Sequence, residues 1–470
     1  MKIFLIGILT LAALAAGLSG CVSSHPTDPY ANISLRVREN YGTAISRSAV
    51  PQSEVGDSIT IEDAIRLALD RNPELQAAAY DVTAAEARSD TLAGQRLPSL
   101  DIIGGYSRYL DSQRLFPAVE NGELGAFSRE IFSGDLVLSM PLFTDGRLGN
   151  QVRAADLLRQ SASQRMARTR EELVFNVASV FYSILAQERL ITSLEFSKKA
   201  LEDHIKQVNN LMEMQKAAKV DLLRTEVRLS DVQQKLVREK NLLSIQHRLL
   251  LNIMGIEDSG ARLTLKGTLE KTAPELKSMD DDVARALQQR PDFQAARREL
   301  EAQGCRVDVA RAGQSPTVNI FASYGGRWAM NPTQQPAGAA DSGDVGKIGL
   351  NLQIPLFEGG RIQAAVREER AKLMAAQARF RKLELSIRLE VETAYSNMTS
   401  AFERVQTAEK TIEQARESLR IEREKYDLGK GAILDVLDAQ SALLETETNY
   451  YRALADLNIS KAQRLLVIGD

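Results

Sequence analysis

A seven-residue pattern, Pro-Leu-Phe-x-x-Gly-Arg, occurs twice in this chain and limits its fold more than any other feature. The copies lie at 141–147 and 355–361. Each copy follows a short segment in which apolar and polar residues alternate, as in a strand, and precedes a long segment with helical spacing. The pattern therefore predicts a strand-to-helix connection that the chain uses twice.

The two copies belong to a longer internal repeat. An offset of 218 residues carries Pro73 to Pro291, and after the pattern an offset of 214 carries Gly255 to Gly469. A shared order of features at nearly constant spacing indicates a tandem duplication, which has to be identified before the fold is assigned.

Each repeat is expected to contain a leading helix, a β-hairpin and a helical hairpin. The repeats are expected at 58–257 and 258–470, with β-hairpins near 98–143 and 316–357 and helical hairpins at 147–254 and 361–468.

The helical hairpins are predicted from two tracts that lack proline, which breaks helices. No proline lies between Pro141 and Pro274, and none follows Pro355. We expect one turn in each tract, near Gln215–Lys219 and Gly429–Ala432. Arms of about 55 residues would then be about 80 Å long.

The strands have a period-two pattern. The clearest case is 348–356, where apolar residues alternate with glycine and polar residues. A length of about 10 residues matches a tilted strand that crosses a bilayer. Aromatic residues near the strand ends would form an interfacial girdle: Tyr109, Phe132, Trp328 and Phe357. A half-buried sheet in a soluble protein remains the alternative.

Membrane strands would require several chains. Known membrane barrels have at least about eight strands, so four cannot close one. An open sheet edge is not tolerated in lipid, because each unpaired backbone group costs several kcal/mol. Three chains would supply twelve strands.

The N-terminus has the features of a bacterial secretory signal. Lys2 precedes the apolar run 3–18, which is shorter than the about 20 residues of a spanning helix. The sequence 18–21, Leu-Ser-Gly-Cys, resembles a lipobox, which implies a signal peptide at 1–20 and acylation of Cys21. The segment 21–57 is expected to be a lipid-anchored arm. An ordinary signal peptide with an incidental cysteine is the alternative.

Composition and motifs argue against an enzyme and against a nucleic-acid-binding protein. The formal net charge is −3, with 26% charged residues, so no basic surface is indicated. His25 lies in the arm, and His204 and His247 are assigned to polar helix positions. Cys305 is expected to be a small buried residue. No metal-ligand spacing, nucleophile elbow or phosphate loop occurs, so neither a metal nor another cofactor is expected.

Over residues 58–470 the chain resembles the TolC family of outer-membrane channel proteins. The resemblance rests on the duplication, the paired Pro-Leu-Phe-x-x-Gly-Arg segments, Tyr426-x-x-Gly429, the sequence 433–440, and Leu-x-x-x-Gly at 251–255 and 465–469.

This resemblance implies an α+β membrane protein. Each protomer would contribute four transmembrane β-strands and long antiparallel α-helical coiled coils. A homotrimer would form a 12-stranded β-barrel and a periplasmic α-helical tunnel. The channel would be the passive exit duct of a tripartite efflux system, served by a periplasmic adaptor and an inner-membrane transporter of RND or ABC type. Cys21 fits the lipidated subgroup, which acts in drug efflux and is anchored in the outer membrane.

The resemblance also implies a periplasmic gate. Asp435 and Asp438 match an acidic ring of the family, and their i, i+3 spacing puts both carboxylates on one helix face. A trimer would place six carboxylates around one aperture, which would favour cations. A solvated helix face is the alternative.

Two further gate positions match the family. Tyr426 matches a tyrosine that holds the closed tip, and Asp221 its acidic partner. Gly431 stands where the family's basic residue falls, and the neighbouring Lys430 is a substitute for it. The adaptor is expected to contact both tips: Gln215, Lys216, Ala217, Ala218, Lys219, Val220, Gly429, Lys430, Gly431, Ala432, Ile433 and Leu434.

The repeated pattern itself would form hinges between barrel and tunnel. In each, the proline is expected to end strand pairing, the phenylalanine to lie at the membrane interface, and the glycine to permit the bend. The hinge residues are Pro141, Phe143, Gly146, Pro355, Phe357 and Gly360.

Two other functions stay open. The first is a lipid-anchored periplasmic coiled-coil scaffold or adaptor, with the strands in a soluble domain. The second, within the channel interpretation, is a duct for type I polypeptide secretion. The sequence does not name the substrate.

Overall fold

The computed structural model describes residues 58–118, 124–215, 217–256, 264–273, 278–329, 332–333 and 335–469. The expected signal peptide at 1–20, the lipidation site Cys21, the rest of the arm at 21–57 and the tip residue Lys216 lie outside these residues.

The two repeats share the same order of helices and strands, and the second adds a 3-10 turn. The first comprises β1 (Ser58–Ile59), α1 (Ile61–Arg71), α2 (Pro73–Gly94), β2 (Ser99–Arg114), β3 (Phe127–Phe143), α3 (Arg147–Glu213) and α4 (Lys219–Ile253). The second comprises β4 (Thr264–Leu265), α5 (Met279–Gln289), α6 (Pro291–Arg311), a 3-10 turn (Ala312–Gln314), β5 (Thr317–Ala329), β6 (Ser342–Gln353), α7 (Arg361–Asp427) and α8 (Ile433–Ile468).

The arms of the helical hairpins are unequal, so the expectation of about 55 residues in each arm is wrong. Helices α3 and α7 have 67 residues each, whereas α4 and α8 have 35 and 36. The short helices α2 and α6 supply the remaining length, because α2 packs along α3 and α6 along α7.

A side chain at the break between α1 and α2 joins α2 to the end of α4. Asn72 caps α2 by accepting a hydrogen bond from the Glu74 amide at 2.8 Å. Its Nδ2 donates to the carbonyl oxygen of Ile253, the last residue of α4, at 2.8 Å. Such side-chain bonds satisfy groups that helix ends leave unpaired. Three helices therefore meet at Asn72.

The four long strands form one antiparallel sheet in the order β2-β3-β5-β6. They have 16, 17, 13 and 12 residues, so the predicted length of about 10 is too short. Pairing runs through the glycines at 104–105 and 325–326 and continues to Arg114 and Ala329.

One face of the sheet is apolar and the other is polar. Residues directly opposite each other in the register share a face, and alternate residues along a strand do so too. The apolar face carries Leu100, Ile102, Tyr106, Phe132, Leu136, Leu138, Tyr324, Trp328, Ile348, Leu350 and Leu352. The polar face carries Asp101, Ser133, Asp135, Ser139, Ser323, Arg327, Lys347 and Asn351.

Aromatic rings stack at one level of the apolar face. The rings of Phe132 and Trp328 are nearly parallel, with centroids 6.0 Å apart. Tyr106, and not the predicted Tyr109, lies beside them, with its centroid 4.9 Å from that of Phe132. Tyr109 falls on the other face by alternation, next to a shift in the register.

The helical core is divided into clusters along the bundle. The cluster nearest the helix turns, here called the tip cluster, joins α3, α4 and α8; its buried residues are Leu190, Ile191, Leu194, Leu201, Val232, Leu236, Ile433, Val436 and Leu437. Cys305 is buried against Ala302, Ala154 and Leu157, as predicted. None of the described helices is long and apolar enough to span a membrane.

Candidate functional site at the helix tips

Two tight turns connect the long helices. In the first, Gln215 has a φ of 59° and its amide donates to the Met212 carbonyl oxygen at 2.9 Å. In the second, Gly429 has a φ of 69° and its amide donates to the Tyr426 carbonyl oxygen at 2.9 Å. The offset of 214 relates these residues, so the duplication preserves a left-handed residue at each turn. Glycine adopts this conformation without the steric cost that glutamine bears.

Gly431 lies where the chain passes close to Lys425 and Tyr426. A Cβ atom at this position would lie 3.0 Å from the Lys425 Cβ and 3.2 Å from the Tyr426 amide nitrogen. A side chain at position 431 would therefore require these neighbours to shift by a few tenths of an ångström. Within the ranges that the structure describes, no ion pair joins Lys430, the suggested substitute, to Asp221.

Asp221 caps α4. Its carboxylate accepts a hydrogen bond from the Ala218 amide at 3.3 Å, and its own amide donates to the Ala218 carbonyl oxygen at 3.0 Å. A carboxylate in the first turn also interacts favourably with the helix dipole. The Asp221 side chain therefore stabilises its own helix start.

Tyr426 packs against the tip cluster, close to Asp221. Burial raises the pKa of Tyr426, and the negative charges of Asp221 and Asp427 raise it further. The structure therefore brings the two predicted partners near each other, although no hydrogen bond between their side chains is present among the described residues.

His204 on α3 is a tip residue that no sequence motif indicated. Its ring centroid lies 5.3 Å from that of Tyr426. It is buried, and no residue that the structure describes forms a hydrogen bond with its Nε2. Burial lowers the pKa of His204, as does the positive charge of Arg423, whereas Asp427 and a hydrogen bond with Gln207 act in the opposite direction.

The assignment of His204 to a polar helix position is therefore wrong. Leu194, Leu201 and Val208 are buried on the same side of α3, at helical spacing from His204. That period, extended through residue 204, is the signal that places the imidazole in the core.

Asp435 and Asp438 are exposed on α8. Their neighbours Ile433, Val436 and Leu437 are buried in the tip cluster, so the carboxylates lie on the side of the helix away from it. In the first repeat the offset of 214 places Asp221 and Arg224 at these positions. Only the second repeat therefore carries two acids here.

The hinges bend at left-handed residues. Asp145 and Gly146 have φ values of 47° and 73°, and Gly359 and Gly360 have 56° and 81°. Asp145 also accepts a hydrogen bond from the hydroxyl of Ser315, which lies just before β5. Gly146 and Gly360 directly precede α3 and α7. Each glycine therefore provides the bend between the end of a strand segment and the start of a long helix.

The prolines of the two hinges differ. Pro141 does not end strand pairing as predicted: it lies opposite Asn319, and β3 continues to Phe143 after a register shift. Proline lacks an amide hydrogen and is tolerated in a sheet at such irregularities. Pro355 lies beyond the end of β6 at Gln353.

Comparison with known proteins identifies the family of this chain. The model of the outer membrane efflux protein family matches residues 64–256 and 283–468. The outer membrane protein TolC of Vibrio cholerae is 22% identical over 403 residues, which cover 86% of this chain and 89% of TolC. The probable efflux pump outer membrane protein TtgC of Pseudomonas putida is 23% identical over 472 residues, or 95% of each chain.

Solved structures give the same fold. The outer-membrane channel OprN superposes with a TM-score of 0.75 at 20% identity, over 87% of this chain and 89% of OprN. The Campylobacter jejuni CmeC outer membrane channel gives 0.74 at 16% identity, over 91% of this chain and 90% of CmeC. The chain therefore belongs to the outer membrane efflux protein family, as its resemblance to the TolC family predicted.

Proposed function

We propose that this protein is the outer-membrane exit channel of a tripartite efflux system and that three copies of the chain form it. The observation that carries the proposal is the four-stranded sheet. Its apolar face is exposed: Ile348 is 77% exposed and Leu350 is 66% exposed. A soluble monomer seldom shows such a continuous apolar surface, whereas lipid accommodates it.

The sheet also determines that several copies are needed. In the described part of the chain, strands β2 and β6 each have one edge without a neighbouring strand. Unpaired backbone groups cost several kcal/mol each in lipid. Three copies give twelve strands and a closed barrel, with the polar face, including Asp135 and Arg327, turned to the lumen. An ion pair of 2.8 Å between these two residues suits a water-filled interior.

The long helices would continue the lumen into the periplasm. Exposed apolar side chains recur along α4, and packing against a neighbouring copy would bury them: Val220, Leu223, Val227, Val237, Ile245 and Leu249. The chain has the parts of a passive duct, and a transporter elsewhere would supply the energy.

The tips are the proposed contact with a periplasmic adaptor. Exposed apolar side chains are present on both tips: Met214, Val220 and Leu223 on the first, and Leu428 and Leu434 on the second. The predicted contact residues at 215–220 and 429–434 lie among them. An inner-membrane transporter of RND or ABC type would complete the system. Relatives named as efflux pump proteins favour small-molecule export over polypeptide secretion.

The gate proposal concerns the α8 carboxylates. Three copies of Asp435 and Asp438 around the axis would form an acidic ring that attracts cations and slows anions. The exposed position of both side chains and the absence of a second acid in the first repeat support a role for α8 rather than α4.

Cys21 is the proposed lipid anchor on the periplasmic side of the outer membrane. Replacing Cys21 with Ser should abolish incorporation of labelled palmitate while leaving the channel fold intact. Labelling that persists in this variant would remove the anchor from the proposal.

The channel function is tested with the purified protein in a planar bilayer. Defined single-channel conductance and a trimer that resists mild heating in detergent are expected. A monomeric protein that does not conduct and is extracted by carbonate would contradict the channel.

A further inference from the structure

The two free edges of the sheet are suited to each other. The order β2-β3-β5-β6 has antiparallel pairing at every step, so β6 runs antiparallel to β2. A second copy can therefore place its β2 beside β6 and continue the sheet with the same pattern. This step repeats around an axis, as in other head-to-tail rings.

The duplication supplies a template for the register of that joint. Within one chain the repeats meet where β3 pairs with β5, for example at Leu136 and Tyr324. The offset of 214 carries Leu136 to Leu350, and the offset of 218 carries Tyr106 to Tyr324. The joint between β6 and the next copy's β2 is thus the counterpart of the joint between β3 and β5.

We propose that neighbouring copies of this chain join with Leu350 of one copy opposite Tyr106 of the next. This register also puts Ile354 opposite Ile102 and Gln353 opposite Ile103. The inference rests on the proposed trimeric channel and adds to it the residue pairs that close the barrel.

The side chains agree with this register. Leu350, Leu352 and Ile354 meet Tyr106, Gly104 and Ile102, so the apolar face continues across the joint. A shift by one residue would turn every side chain of β6 to the opposite face. Registers shifted by two residues keep the faces and have to be excluded by other means.

The length of β6 gives an independent argument for the register. Strand β3 continues to Phe143, because Pro141 and Phe143 pair with Asn319 and Val318. Its counterpart β6 ends at Gln353, which corresponds to Ser139. Among the described residues of a single chain, therefore, no strand pairs with the segment that follows Gln353.

Exposure of those residues points to the same missing partner. Leu356 and Phe357 are 92% and 89% exposed, whereas their counterparts Leu142 and Phe143 are 52% and 50% exposed. If the segment after β6 repeats the register shift that β3 has between Pro141 and Phe143, Phe357 lies opposite Leu100 at the start of the next copy's β2. Strand β2 of the next copy would pair with the last residues of the β6 segment, as β5 pairs with the last residues of β3.

Disulfide formation distinguishes this register from its neighbours. Residues directly opposite have Cβ atoms about 4.5–5.5 Å apart, and diagonal ones about 7–8 Å apart. A disulfide needs about 3.5–4.5 Å. We compare Ile102→Cys combined with Ile354→Cys, Leu352→Cys or Leu356→Cys in the full-length protein in native membranes. A second pair, Ile103→Cys with Gln353→Cys, tests the other face, because close and wide pairs alternate along antiparallel strands.

The expected result is intermolecular cross-linking that follows the register. At least one of the two in-register pairs should form roughly tenfold more covalent dimer and trimer than the pairs displaced by two residues. Single-cysteine variants and the parent, whose Cys305 is buried, should give none. Strands β2 and β6 lie at opposite edges, so a link within one chain is not expected.

Two outcomes would overturn the proposal while leaving the channel intact. One is preferred cross-linking at Leu352→Cys or Leu356→Cys. The other is a conducting, heat-resistant trimer that cross-links at neither in-register pair. A parent protein that neither conducts nor forms a trimer would overturn the proposed function, and the register with it.

Discussion

Arg290 occupies in the second repeat the position that Asn72 occupies in the first. Asn72 binds the carbonyl oxygen of Ile253 at the end of α4, and Arg290 Nη1 binds that of Val467 near the end of α8 at 3.4 Å. The duplication has kept the contact and changed the residue. Arg290 also binds both oxygens of Asp292 and lies 2.6 Å from a Glu390 oxygen, so a neutral joint has become a charged one.

Gly255 lies two residues after Ile253, the residue that Asn72 contacts in the first repeat. It should not tolerate a side chain. It has a φ of 68°, and a Cβ atom would lie 2.4 Å from the Arg71 carbonyl oxygen. Gly255→Ala should therefore lower the free energy of unfolding by about 2–4 kcal/mol, through backbone strain and overpacking. Urea titration in detergent, followed by circular dichroism, measures the change.

Gly94→Ala is the matched control, because a Cβ atom added at Gly94 would have no atom within 4 Å and the residue is at the end of α2. Its unfolding free energy should change by less than about 1 kcal/mol. Equal losses in the two variants would contradict the steric explanation.

The charged joint around Arg290 should make stability depend on pH. Burial alone would raise the pKa of Asp292, but hydrogen bonds from Arg290 and its charge outweigh burial and hold the pKa below its usual range. Asp292 therefore contributes stability above its unfolded pKa of about 3.9, and the contribution is lost as the pH falls through the lower folded value. Asp292→Asn should show a weaker loss between about pH 5 and pH 3 than the parent.

Asp63→Asn serves as the comparison, since Asp63 pairs with Arg66 on the surface of α1. Its acid denaturation curve should keep the slope of the parent. A parent-like curve for Asp292→Asn would show that the buried pair does not control acid stability.

Acid should loosen the tip through His204. Its folded pKa lies below the ordinary value of about 6.5, because burial and Arg423 disfavour the imidazolium. The neutral form contributes stability above that ordinary value, and the contribution is lost as the pH falls from that value through the lower folded pKa. Between about pH 7.5 and pH 5.5, amide exchange around 204–215 and 423–430 should speed up in the parent beyond the intrinsic pH effect.

His204→Gln should remove this extra acceleration. His247 on α4 is half-buried and also has a lowered pKa, so it offers the matched control, and His247→Gln should keep the acceleration. Acceleration that persists in His204→Gln would assign the acid response to other groups.

The α8 carboxylates should govern ion selectivity. Removing both with Asp435→Ala and Asp438→Ala should lower the cation-to-anion permeability ratio several-fold and weaken block by multivalent cations, because the ring charge is lost. Reversal potentials in a planar bilayer under a salt gradient give the ratio.

Asp280→Ala with Asp281→Ala removes the same formal charge from the exposed start of α5. Its selectivity should match that of the parent. Unchanged selectivity in the α8 variant would take the acidic ring out of the gate.

Much of the fold was predictable from the sequence, because the duplication and the period-two strands are local patterns. Hinge glycines at 146 and 360 were predictable for the same reason. The unequal helical arms were not: the contact of Asn72 with Ile253 joins residues that are far apart in sequence. No local pattern shows that the start of α2 lies beside the end of α4 in space.

Tip residues show the same limit. Asp435 and Asp438 were identified from a motif, and their exposure follows from the apolar period of α8. The close contact at Gly431 depends on the path of the chain past Lys425. The sequence motif shows only that a basic residue is missing there, so it does not reveal this contact. The burial of His204 was predictable, because the buried residues around it on α3 follow a helical period that includes position 204. Counting residue types alone does not show this period.

The register of the sheet has a consequence for the bore of the channel. A row of opposed residues starts at Ile102, passes through Leu136 and reaches Tyr324, the counterpart of Tyr106. One hairpin thus displaces the row from position 102 to position 106. In a closed barrel this stagger and the strand number together set the tilt and the diameter. A large stagger inclines the strands, which accounts for strands of 16 and 17 residues and widens the duct beyond that of twelve upright strands.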